Sequence, residues 1–110
     1  MISIDIFLDE TGVIKSCSAK GHANAGKTGT DIVCAAVSVL IRTLARVLSA
    51  KKGINIQSAA VEPGNLWLKI DYTAEGRDFL SACGEFFVTG LRSLTEEYPD
   101  KCKINIEYGR

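Results

Sequence analysis

A chain of 110 residues, 46% of them hydrophobic, can bury one ordinary core and is too short for two, so a single domain spanning 1–110 is expected. Thirteen Lys and Arg balance thirteen Asp and Glu, and neither sign gathers into a block. That balance argues against direct nucleic-acid binding and against a membrane-surface partner.

The first stretch, Met1 to Glu10, has no positive region, no continuous apolar run and an acid every few residues, so it does not read as a secretory signal and a cytoplasmic location is expected. Ile2, Ile4, Ile6 and Leu8 alternate with Ser3, Asp5 and Phe7, the period of a half-buried strand. Asp9-Glu10-Thr11-Gly12 supplies a turn before a second strand resumes over Val13 to Ala19, which makes the opening a β-hairpin. Gly21 ends that strand. The segment Ala23-Asn24-Ala25-Gly26-Lys27-Thr28-Gly29-Thr30 then reads as a loop, in which Gly26 and Gly29 permit unusual backbone angles.

Thr30 or Asp31 can cap a helix running to about Leu48, with Lys51-Lys52-Gly53 at its end. Its most apolar run, Ile32 to Ile41, falls short of the roughly 20 residues of a membrane span, and Arg42 and Arg46 interrupt its continuation, so no membrane partner is expected. Those two arginines share one solvated edge, while Val33, Val37, Leu40, Ile41, Leu44, Val47 and Leu48 spread over the rest. So wide an apolar face suggests burial on more than one side. The small residues Ala35, Ala36 and Ser38 could admit another helix or another subunit.

Ile54 to Val61 and Leu66 to Tyr72 read as two strands joined across Glu62-Pro63-Gly64-Asn65. From Ala74 to Tyr98 the positions Leu80, Cys83, Phe87, Leu91 and Leu94 recur at three and four, which predicts an amphipathic helix stopped by Pro99. Cys102 to Tyr108 closes the chain as a strand. The order ββαββαβ implies an α+β fold with two helices packed on a mainly antiparallel sheet.

Four cysteines, Cys17, Cys34, Cys83 and Cys102, occur without a CxxC pair, so neither a metal nor any other cofactor is expected and all four are read as reduced thiols. Cys17, Cys83 and Cys102 fall at apolar-face positions and are assigned to packing. Phe79, Phe86 and Phe87 are assigned to the core or its margin, and Trp67 to core or interface.

Cys34 differs because the only histidine, His22, precedes it by twelve residues across the glycine-bearing loop. A cysteine attacks as its thiolate, and a free thiol is only a few per cent ionised at neutral pH. With Thr30 or Asp31 as cap, Cys34 would sit in the first turn, where unpaired N–H groups and the positive end of the macrodipole favour an anion. His22 is suited to take the thiol proton and return it to a leaving amine. Asp31 fits a cap better than the orienting acid of a triad, and Ser38, one turn beyond Cys34, fits a small packing residue, though either could support the pair. On the residues alone the inert reading stands beside the catalytic one. Free cysteine is commonly buried packing, and a lone histidine at a strand end is commonly a surface residue.

The run Gly21-His22-Ala23, then Gly29, then Asp31-Ile32-Val33-Cys34-Ala35-Ala36-Val37-Ser38 resembles the ribosomal-processing cysteine proteases of bacteria. Chain length and element order extend the resemblance over essentially the whole sequence. It implies a cytosolic protease that removes a short N-terminal extension from a large-subunit ribosomal protein, the one numbered twenty-seven. Cys34 would be the nucleophile and His22 the base, in a dyad. The family resembled is homodimeric, with a flexible loop, here Ala23 to Thr30, that orders over the substrate. Its substrates carry an aromatic residue before the cut, so an apolar pocket is expected. Two other readings compete: a non-catalytic module that binds a ribosomal protein or pre-ribosome, and a thiol redox sensor, which lacks a second cysteine near Cys34 in sequence to resolve a sulfenate.

Overall fold

A computed structural model describes residues 1–21, 28–62 and 65–109, with backbone alone for 28–31 and 60–62. Among the described residues seven elements occur in the expected order: β1 Ile2–Leu8, β2 Ile14–Lys20, α1 Thr28–Ser49, β3 Ile54–Glu62, β4 Asn65–Tyr72, α2 Arg77–Glu97 and β5 Cys102–Tyr108. The strands form one sheet in the order β3-β4-β2-β1-β5. All neighbours are antiparallel except β1 and β5, which run parallel from Ile2↔Cys102 to Leu8↔Tyr108.

The alternation in β1 settles which face is inside. Ile2, Ile4, Ile6 and Leu8 are buried and meet Cys17 and Ala19 of β2 and Leu68 and Ile70 of β4 in one cluster. Both helices close that face, α1 through Val33, Val37, Ile41, Leu44 and Leu48, α2 through Leu80, Phe87 and Leu91. Asp5, Phe7, Ser16, Ser18, Trp67 and Lys69 stand on the other face of the sheet, beside a cleft that Asn105 and Glu107 also line.

Turn chemistry fixes the first hairpin. The half-buried Asp9 carboxylate accepts from Thr11 N (2.9 Å), Thr11 Oγ1 (2.7 Å) and Val13 N (3.0 Å), and from the Tyr72 hydroxyl across the sheet. Burial disfavours the charged form of Asp9, but these donors together outweigh it and hold the carboxyl well below its usual range. A register shift between Phe7 and Leu8 pairs Leu8 with Ile14, so β2 begins at Ile14, one residue after the expected Val13.

Helix α1 starts at Thr28, earlier than the expected cap. Thr30 and Asp31 lie inside it, and Thr28, Gly29 and Thr30 of the expected loop are its first residues. One glycine in a first turn costs only about 1 kcal/mol relative to alanine, too little to stop a helix with so apolar a continuation. Helix α2 spans less than expected, beginning at Arg77 after a chain reversal in which Gly53 (φ 81°) and Gly76 touch so closely that a Cβ on either would overlap the other's backbone. Ile32–Ser49 of α1 is, by length and composition, apolar enough to cross a membrane, yet its buried stripe faces the sheet, as in a core helix.

Candidate active site

Cys34 is the seventh residue of α1 counting from Thr28, hence in the second turn. Its own N–H is therefore engaged within the helix, and the free donors of the N-terminus belong to the preceding turn. The expectation that Cys34 sits in the first turn among unpaired N–H groups is corrected accordingly.

The thiol is half-buried in a small cleft lined by Ile2 at the start of β1, Ala19 and Gly21 at the end of β2, Val37 and Ser38 one turn along α1, and Leu66 at the start of β4. Three strand ends thus converge beneath one helix turn. Ser38 is brought to Cys34, as its spacing predicted. Asp31 has a helical backbone, and His22 and residues 23–27 lie outside the described residues. Gly21 is held at φ 114°, where a Cβ would overlap the Met1 carbonyl oxygen, so the position demands glycine. It directly precedes His22 in the chain.

Two of the other thiols differ in kind, while Cys83 on α2 is half-buried as Cys34 is. Cys17 and Cys102 are buried, and burial, aided by the Asp5 charge, pushes the Cys17 thiol up to about 12. Burial also raises Cys102 and, against the pull of Lys51, Cys83. Of the aromatic residues, Phe87 is core, while Phe86, expected in the core or at its margin, is 78% exposed. The helical period placed Phe87 inward, and adjacent residues on a helix lie about 100° apart, which turns Phe86 out.

Sequence reasoning missed the apolar lining, Ile2, Ala19, Val37 and Leu66. Nothing in a period-two pattern says which strand ends meet. The cleft measures about 20 Å³, room for about one water, so it does not hold an aromatic side chain as it stands. The roomier clefts are elsewhere, on the open sheet face beside Trp67 and between the two helices. Among the described residues no group of His, Cys, Asp and Glu is arranged to hold a metal.

An α+β domain that presents a half-buried thiol on a helix, beside the strand end leading to its only histidine, has the parts of a thiol hydrolase. The family model for cysteine protease Prp matches residues 1–103, and the chain belongs to that family: it is a cysteine protease. It is 25% identical over 109 residues to the ribosomal processing cysteine protease Prp of Staphylococcus aureus, covering 96% of this chain and 98% of that protein. A crystal structure of a Streptococcus mutans protein superposes with TM-score 0.81 at 29% identity, covering 98% of this chain and 95% of that one. The S. aureus protease in complex with a substrate peptide superposes with TM-score 0.80 at 21% identity, covering 97% and 100%. That protein has also been crystallised with a covalently linked product peptide.

Proposed function

We propose that this protease removes a short N-terminal extension from the large-subunit ribosomal protein numbered twenty-seven, with Cys34 as nucleophile and His22 as general base, in the cytosol where thiols stay reduced. The observation that carries the reading is the meeting of Cys34 with Gly21: the residue lining the thiol's cleft is the one bonded to His22. The family match and the ribosome-processing relatives point the same way.

In the reaction His22 takes the Cys34 proton and the thiolate adds to the scissile carbonyl. The tetrahedral adduct expels the amine as His22 returns the proton to it, leaving an acyl-thioester on Cys34. Water, deprotonated by His22, then hydrolyses the thioester and regenerates the thiol. Ser38 and Asp31 are proposed as supports of the pair, and residues 23–27 as the segment that closes over the substrate.

We also infer a homodimer. Leu40, Thr43, Leu44 and Val47 of α1 and Ala82, Cys83, Phe86 and Phe87 of α2 line an almost wholly apolar groove of about 300 Å³, the kind of surface a second copy would cover.

The test is the intact mass of the host ribosomal protein after incubation with the wild type, Cys34→Ala and His22→Ala. Loss of a short N-terminal piece with the wild type alone is expected. Cleavage by the Cys34→Ala variant would overturn the assignment of the nucleophile, and binding without cleavage by the wild type would favour a non-catalytic partner.

A further inference from the structure

Among the described residues strand β3 is an edge of the sheet and pairs only with β4. Thr73 N–H donates to the Gly53 carbonyl (2.8 Å), which sets the phase of the ladder: in the register Asn55↔Asp71, Gln57↔Lys69 and Ala59↔Trp67 these pairs exchange hydrogen bonds. Ile54, Ile56 and Ser58 consequently aim their N–H and C=O groups away from β4. The other edge, β5, carries Lys103 and Glu107 on its outward-facing side, the charges with which natural edges discourage pairing. β3 carries a charge only at its last residue, Glu62, and none from Ile54 to Val61.

The edge also ends beside the thiol. Ala60 of β3 pairs with Leu66 of β4, and Leu66 lines the Cys34 cleft. A strand added outside β3 would lie two strand spacings from Leu66, about 10 Å, which three or four extended residues span.

Resting on the protease reading, we propose that β3 is a substrate-docking edge, on which residues of the extended substrate peptide beyond about the third from the scissile bond add as a further strand. The occupant is a peptide because a peptide is what a protease receives, and an edge free of charge from Ile54 to Val61 recognises it through backbone groups. This gives the small cleft at Cys34 the affinity it cannot supply by volume.

The experiment compares a peptide spanning the ribosomal extension and the start of the mature protein with one trimmed to roughly three residues on each side of the cut. For the wild type, the long peptide should have a KM lower by about tenfold at similar kcat, since several peptide hydrogen bonds are each worth a few-fold. N-methylation of the long peptide outside the trimmed region should raise KM at every second position. Ser58→Pro removes one outward N–H at an edge site where proline is tolerated, and should shrink the ratio of the two KM values by a few-fold. A flat N-methyl scan, or a Ser58→Pro protein that keeps the full KM ratio, overturns the proposal. So does a Ser58→Pro protein whose native mass halves while the ratio persists, which would make β3 a contact between copies. If Ser58→Pro loses its thermal transition, the scan on the wild type decides. Cleavage of neither peptide by the wild type would overturn the proposed substrate itself, and the docking edge with it.

Discussion

At Tyr72 one hydroxyl ties two hairpins together, because its partner Asp9 closes the β1–β2 turn while Tyr72 ends β4. Asp9 titrates lower in the folded chain than in the unfolded one, whose carboxyl has a pKa near 3.9. The unfolded state therefore takes up the proton first as pH falls; the stabilisation is whole above that value and lost as pH drops through the lower, folded one. Tyr72→Phe should cost about 1 kcal/mol in urea unfolding at pH 7, below the roughly 1.5–3 kcal/mol of a bond to a charged group because both partners are half-exposed. The difference should shrink below about pH 4. A constant difference down to pH 2 would mean that Tyr72 acts by packing. The thiols differ in the same local way: an alkylating agent at pH 8 should label Cys34 in the folded protein and reach Cys17, with its thiol pushed up to about 12, only after unfolding. Peptide mapping after a short pulse reads this, and equal labelling of both would refute the burial argument. Cys34 was legible as a candidate because a thiol, a histidine and a glycine-bearing interval are chemistry written in residue types. Its half-buried cleft was not, since Ile2 and Leu66 come from distant stretches whose meeting no local pattern encodes.

Elements announced themselves where a single period ran without interruption. The alternation of Ile2 to Leu8 and of Cys102 to Tyr108 gave strands with the observed bounds, and the threefold and fourfold recurrence from Leu80 to Leu94 gave α2. The start of α1 was misplaced because Thr30 and Asp31 have cap chemistry but stand after residues that are helical too. Capping propensity of about 1 kcal/mol is outweighed once the turn before it can join a long apolar helix. The end of β2 carries a sharper constraint. Gly21 combines a positive φ with a Cβ position occupied by the Met1 carbonyl, so Gly21→Ala must both strain its backbone and push the first residue of the chain aside. It should lower stability by about 1–3 kcal/mol and, since Gly21 lines the Cys34 cleft and leads to His22, reduce kcat/KM by more than the unfolded fraction explains. Thermal melting and peptide cleavage on the same sample separate the two effects, and full activity in a variant of unchanged Tm would show that the strand end tolerates a side chain.

On the scale of the molecule, the sheet order β3-β4-β2-β1-β5 lay beyond sequence reasoning: alternation says which face of a strand is wet and nothing about which strand lies beside it. The width of the apolar face on α1 was legible and has a consequence. Only 28% of the stretch Ile32–Ser49 is buried, with Ile32, Val39 and Val47 at 53%, 62% and 40% exposure, and Phe86 of α2 stands at 78% beside the groove between the helices. A core helix satisfied by its own sheet would not retain so much apolar surface toward water, and a second copy would remove it. Carboxylates there would have to be buried without partners, which an interface cannot accommodate but a solvated monomer surface can. Val47→Glu and Phe86→Glu together should therefore convert the protein from twice the chain mass to once in sedimentation equilibrium, with little loss of Tm once extrapolated to low concentration, because neither side chain belongs to the buried core. If the double variant keeps the wild-type mass, the copies meet elsewhere; if the wild type already sediments at one chain mass, the groove serves a different partner.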